Sequence, residues 1–151
     1  MKLIHYSCSD SIALRSRRQD KERSGCYKPN GLWVSDEATD WGWSHWCEAE
    51  SFSIGDSAFE ITLAPDANLL VIKSDIELIE FDDEFKFAPY SDIPNLTHID
   101  WKRIAKRWHG IIITPYLFSQ RFDIHWYYGW DCASGCIWNK KAIEKLEGVR
   151  Q

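Results

Sequence analysis

Two short segments bring together side chains suited to one flat, polar ligand. His5-Tyr6-Ser7 closes an apolar run at the N-terminus, and Leu32-Trp33-Val34-Ser35 leaves the turn signal Lys28-Pro29-Asn30-Gly31. A histidine at a strand end offers ring nitrogens to a ribose hydroxyl. A serine hydroxyl with its adjacent backbone can address a carboxamide, which needs one donor and one acceptor. An aromatic ring on a neighbouring strand, such as Trp33, can stack on a flat heterocycle. Taken singly, each residue has a plainer use: His5 and Ser7 as an edge-strand pair, Trp33 as core packing.

Other chemistries lack their parts. His45, Cys47, Cys132 and Cys136 are metal-ligating types, but no CxxC pair and no HxxxH spacing accompanies them, so a satisfied core histidine and small buried thiols are expected, with no metal. A cysteine nucleophile served by a remote histidine has no local elbow to support it. No GxGxxG, Walker A or HExxH motif is present. Asp82-Asp83-Glu84 pairs carboxylates on what reads as a solvated loop. The basic run over residues 15–23 (Arg15, Arg17, Arg18, Lys21, Arg23) reads either as a solvated loop or as a clamp for phosphates.

Composition bounds these possibilities. The chain has 151 residues, enough for one domain over 1–151, and its formal net charge of −5 disfavours a general basic nucleic-acid binder. Hydrophobic residues at 44% and charged ones at 27% argue against disorder. Nine Trp, six Tyr and seven Phe are the compositional oddity. The opening MKLIHYS is too short an apolar run for a signal peptide, and no stretch approaches the roughly 18 apolar residues that cross a bilayer. Five cysteines, an odd number, fit reduced thiols, so the cytoplasm is the expected compartment and no membrane partner is expected.

The elements that must position these residues alternate irregularly. Strands are expected at 2–6, 32–35, 59–63, 69–72, 111–113, 122–128 and 136–138. Ser9 or Ser11 can cap a short helix through Leu14, and Asp40 one carrying Trp43, Trp46 and Cys47. The capping box Ser74-Asp75-Ile76-Glu77 predicts a helix to about Phe81, followed by exposed loops at 82–84 and 89–94. Thr97 and Asp100 predict a helix carrying Ile99, Ile104 and Trp108, and a last helix is expected over 140–146. This mixture without βαβ regularity points to an α+β fold.

In order and spacing, His5-Tyr6-Ser7 and Gly31-Leu32-Trp33-Val34-Ser35 resemble the ADP-ribosyltransferase superfamily, in its diphtheria-toxin-like and poly(ADP-ribose)-polymerase-like branch. That family opens with a strand ending His-Gly/Tyr-Ser/Thr, then turns through glycine into a strand of the type Gly-Ile-Tyr-Phe-Ala. Trp33 stands where the family has its stacking tyrosine. Residues 59–63, 69–72, 110–113 and 136–139 are similar to later segments, so the resemblance spans most of the chain, although each of these motifs is short.

The resemblance implies a split, twisted, mainly antiparallel β-sheet core with short flanking helices. It implies NAD+ as substrate, release of nicotinamide, and transfer of ADP-ribose to a macromolecular acceptor, protein or nucleic acid, or to water. His5 would bind the adenosine-side ribose as part of the catalytic set, Ser7 the nicotinamide amide, and Tyr6 would add backbone contacts. Trp33 would stack on the nicotinamide, with Ser35 a further candidate on the same strand. The run at 15–23 would meet the pyrophosphate or the acceptor. The family's Glu or Gln-x-Glu at the last catalytic strand is absent, because Ala133-Ser134-Gly135-Cys136 stands there. Asp131, the nearest acid, would take its role; its alternative use is as a turn carboxylate bonding backbone N–H groups. Such a domain would suit an intracellular effector, toxin-like or phage-encoded. The rival expectation is a non-enzymatic, acidic, aromatic-rich interaction or inhibitor module, with Asp82–Glu84 and Asp92 as its contact surface.

Overall fold

A computed structural model describes residues 1–20, 28–90, 92, 93 and 96–149. Seven strands form one mixed sheet. In chain order they are β1 (Leu3–Ser7), β2 (Leu32–Asp36), β3 (Ser57–Leu63), β4 (Leu69–Ile72), β7 (Gly110–Ile113), β8 (Ser134–Ile137) and β9 (Ile143–Val149). They lie in the order β4-β7-β8-β2-β1-β3-β9, and every pairing is antiparallel except β4 with β7. Two short strands, β5 (Lys86–Phe87) and β6 (His98–Ile99), pair separately. The helices are α1 (Trp43–Ala49), α2 (Asp75–Phe85) and α3 (Trp101–Ile104). The fold is α+β with a mostly antiparallel sheet.

Ile111, Ile112 and Ile113 show how the sheet is covered. Successive strand side chains point to opposite faces, and here both faces are packed, so an unbroken apolar run is required. Ile111 and Ile113 join a cluster with Leu78 and Phe81 of α2 and with Trp126 and Trp130. Ile112 joins the other cluster, with Leu3, Val34 and Ile61. The strands beside β7 approach closely: a Cβ on Gly135 would lie 2.4 Å from the Ile111 carbonyl oxygen, where only glycine fits.

Several elements differ from the sequence expectation. No helix forms after Ser9; the Ser9 N–H donates to Ser7 Oγ at 3.0 Å and the Ser11 N–H to Ser9 Oγ at 3.4 Å. Serine hydroxyls there bond backbone groups that a helix would use. Helix α1 has Gly42, not Asp40, at its N-cap. Its first N–H groups are met from outside: Trp43 N–H by Ser35 Oγ at 2.7 Å and Ser44 N–H by Glu37 Oε1 at 3.3 Å. Ser74 caps α2 by accepting from Glu77 N–H, and the helix runs on to Phe85 because Phe81, Asp82 and Phe85 share its buried side. The acidic run is therefore helical rather than a loop.

Asp100 caps α3, which is only one turn long, and Ile99 belongs to β6. Residues 122–128 are not a strand. Trp126 and Tyr127 both sink into one cluster from a 3-10 turn over His125–Gly129, which strand alternation would forbid. The expected last helix is also replaced: a 3-10 turn at Lys140–Ala142 leads into β9, which pairs with β3. Ile143 and Leu146 have helical spacing, but pairing to an open sheet edge overrides propensity. Its outer charges, Glu144, Lys145 and Glu147, suit an exposed edge. Lys21, Arg23, Cys26 and part of the expected loop at 89–94 lie outside the described residues. No helix among the described residues is long and apolar enough to cross a membrane.

Candidate functional site

Strands β1 and β2 pair only at Leu3–Asp36 and Ile4–Ser35. Beyond Ile4 they part, and the His5 ring takes the place of the next ladder bond, with Nδ1 2.7 Å from the Trp33 carbonyl oxygen. A carbonyl can only accept, so Nδ1 carries the proton and donates. Burial lowers the His5 pKa below its ordinary 6.5, against a smaller upward pull from that hydrogen bond. The imidazole is therefore neutral at pH 7, and Nε2 is left as an acceptor.

The split opens a cavity of about 380 Å3. Its lining includes His5, Tyr6, Ser7, Trp33, Ser35 and Asp131, so these six residues come to one place. They do not all arrive with free chemistry. Ser7 Oγ accepts from Ser9 N–H, which leaves its own hydroxyl hydrogen to donate. Ser35 is buried, accepts from Trp43 N–H and donates to the Ala133 carbonyl at 3.4 Å, so its hydroxyl ties α1 to the residue just before β8. The Tyr6 phenol is pushed up to about 12 by burial first and by the nearby Glu37 carboxylate, and it stays protonated.

Asp131 is half-buried at the cavity wall. Burial raises its pKa above the ordinary 3.8, Lys28 and Arg121 pull it back, and Glu50 adds to the rise. Its backbone carbonyl accepts from Trp41 Nε1 at 3.0 Å, which holds the acid in position on the chain entering β8.

The lining also includes Trp130, which flanks Asp131 in the sequence, and Lys28, Trp43 and Ile54, which had no site role in the sequence reading. Trp130, fully buried, meets Trp33 in a T-shaped contact at 4.9 Å, and its indole N–H has no hydrogen-bond partner among the described residues. Lys28 holds its ammonium over the Trp33 ring, 5.1 Å from the centroid. Trp43 and Ile54 close the side beneath α1. Lys28 sits on the turn that launches β2, and that adjacency was the one sequence signal available for it.

A second cavity, of about 350 Å3, shares His5 with the first. Arg15, Arg17 and Lys140 line it beside Ile12, Leu32 and Ile137. Its outer wall is fixed by Arg17 N–H on the Trp138 carbonyl at 2.7 Å and by Lys140 N–H on Ser16 Oγ at 3.2 Å. Both volumes fall in the range of small-molecule sites, roughly 300–1,000 Å3.

The remaining candidates are placed elsewhere or occupied. His45 is exposed rather than a core histidine. Cys47, Cys132 and Cys136 are buried, Cys8 is exposed, and burial pushes the Cys132 thiol up to about 12. Among the described residues no group of three or more His, Cys, Asp or Glu side chains is placed to hold a metal ion. Asp82 is buried and receives Trp126 Nε1 at 2.9 Å and Lys86 Nζ at 3.0 Å. Asp83 also meets Lys86, and Glu84 meets Arg103 and Arg107. Comparison with known proteins finds no matching family model, no matching curated protein and no matching solved structure.

Proposed function

We propose that the chain is an ADP-ribosyltransferase-like protein that binds NAD+ across the split between β1 and β2. The observation that carries this reading is the convergence of a neutral histidine, a serine donor, a half-buried indole and a half-buried carboxylate on one cavity. In this reading the nicotinamide ring stacks on Trp33 and its carboxamide takes the Ser7 hydroxyl. His5 Nε2 accepts from the adenosine-side ribose, at the junction of the two cavities. The second cavity takes the adenosine half, with Arg15, Arg17 and Lys140 supplying charge for the phosphates.

The chemistry follows from the charges. The glycosidic C1′–N bond breaks with its electron pair going to nicotinamide, which leaves as a neutral molecule. Positive charge then develops on the ribose, and Asp131, bonded to the 2′-hydroxyl, stabilises it. An acceptor nucleophile or water adds at C1′ and loses its proton. Burial raises the Asp131 pKa, while Lys28 and Arg121 oppose that rise and favour the ionised form that this step needs.

Of the surface proposed for the rival interaction module, Asp82 is buried, while Asp83 and Glu84 remain exposed in ion pairs with Lys86, Arg103 and Arg107. Incubation with NAD+ labelled in the nicotinamide, with and without cell lysate, tests the reading. Release of labelled nicotinamide by the wild type, and its loss in His5→Ala and Asp131→Ala, is expected. No release under any condition, with no NAD+-dependent rise in melting temperature, removes it.

A further inference from the structure

Three observations converge on Lys28. Its ammonium stands over the Trp33 ring, 5.1 Å from the centroid. Its side chain lines the same cavity as Trp33 and Asp131. A Cβ at Gly129 would come within 3.3 Å of Lys28 Cε, so the end of the lysine stem passes a position that carries no side chain. The missing side chain lets the lysine stem pass close against Gly129, and the ammonium is held over the aromatic wall at the end of a flexible four-carbon chain.

A cation over an indole is attracted by the negative face of the ring, and a pyridinium stacked there is attracted by the same field. Both carry one positive charge. In a partly buried cavity two such charges repel more strongly than in water, so Lys28 and a pyridinium compete for Trp33. A pyridinium that carries phosphates differs from a bare one, because its own phosphates can receive the displaced ammonium.

We propose that Lys28 is a specificity-determining residue that competes with pyridinium cations for the Trp33 ring and yields it to one that carries phosphates. The inference rests on the NAD+ reading above. It gives the cavity a way to discriminate against small pyridinium cations that share the nicotinamide ring but lack the pyrophosphate. It also assigns Lys28 a part after cleavage: the nicotinamide formed is neutral, and the ammonium returning to Trp33 favours its departure.

Calorimetric titration of the full chain with 1-methylnicotinamide, a cation without phosphate, tests this beside neutral nicotinamide and NAD+. Lys28→Met is expected to bind 1-methylnicotinamide about tenfold tighter than the wild type, the scale of a cation–aromatic contact. Neutral nicotinamide is expected to change less than about twofold, since it carries no charge for the ammonium to oppose. Lys28→Arg, which keeps the charge, is expected to match the wild type. Equal 1-methylnicotinamide affinity in wild type and Lys28→Met overturns the inference while leaving the NAD+ reading intact. So does tight binding by Lys28→Arg. Absence of binding by NAD+ and both nicotinamides in all three proteins overturns the inference and the reading together.

Discussion

The His5 ring donates from Nδ1 to the Trp33 carbonyl across 2.7 Å, at the point where β1 and β2 part. One hydrogen bond therefore fixes the tautomer of the histidine and the path of the strand that carries the indole. Sites held by regular elements keep their geometry better than sites on loops.

This relationship makes stability pH-dependent. The folded-state pKa of His5 is lowered, so its contribution is present above 6.5, the ordinary value, and is lost as pH falls and the unfolded chain takes up the proton first. The melting temperature of the wild type is expected to fall more between pH 7 and pH 5 than that of His5→Gln. NAD+ affinity is expected to fall over the same interval, because protonation turns Nε2 from an acceptor into a donor. Parallel pH profiles for the two proteins would count against this assignment.

Asp131 predicts opposite effects on activity and stability. Its raised pKa means the fold disfavours the carboxylate, so the contribution of this group to stability is full below 3.8 and is lost as pH rises through the raised value. Asp131→Asn is expected to raise the melting temperature at pH 7. It is expected to cut nicotinamide release by about 10²–10³, the range for removing one charge-stabilising group. A lowered melting temperature would assign the side chain to the turn instead.

Ser7 and Ser35 should separate cleanly. Ser7→Ala is expected to weaken NAD+ binding with little change in melting temperature, since among the described residues its hydroxyl accepts only from the nearby Ser9 N–H. Ser35→Ala removes the acceptor for Trp43 N–H and is expected to cost about 1 kcal/mol or more in urea unfolding. The reverse pattern would exchange their roles.

Thr114 Oγ1 donates to the buried Asp36 carboxylate at 2.8 Å, and the same side chain receives the Lys2 N–H at 2.8 Å. Thr114→Val keeps the volume and removes the donor to a charged group. A loss of about 1.5–3 kcal/mol is expected, read as a lower urea midpoint at unchanged slope.

Gly135→Ala places a methyl group against the Ile111 carbonyl between the central strands. A destabilisation of roughly 1–3 kcal/mol is expected from thermal or urea unfolding, since the atom it meets is backbone and not the end of a flexible side chain. An unchanged midpoint would mean that β7 and β8 can separate without loss.

Residue types and their order were enough to single out His5, Ser7 and Trp33, and the family resemblance added Tyr6, Ser35 and Asp131, because order along the chain and the chemistry of each side chain are local properties. Strong local signals were equally legible: the Ser74 cap, the glycine-bounded isoleucine run, and the turn before Leu32. Long-range partners decided the rest. The segment after Ala142 has helical spacing, yet it became β9 because β3 offered an open edge. Residues 122–128 read as a strand, yet Trp126 and Tyr127 both entered one core through a 3-10 turn, with the Trp126 N–H reaching Asp82 on α2. Ser35 was selected by resemblance, and only the packing of α1 engaged its hydroxyl with Trp43. Lys28 has no motif of its own, and only the cavity sets its ammonium over Trp33. Side-chain chemistry is written residue by residue, whereas the partner that uses it is chosen when distant segments bury their surfaces together.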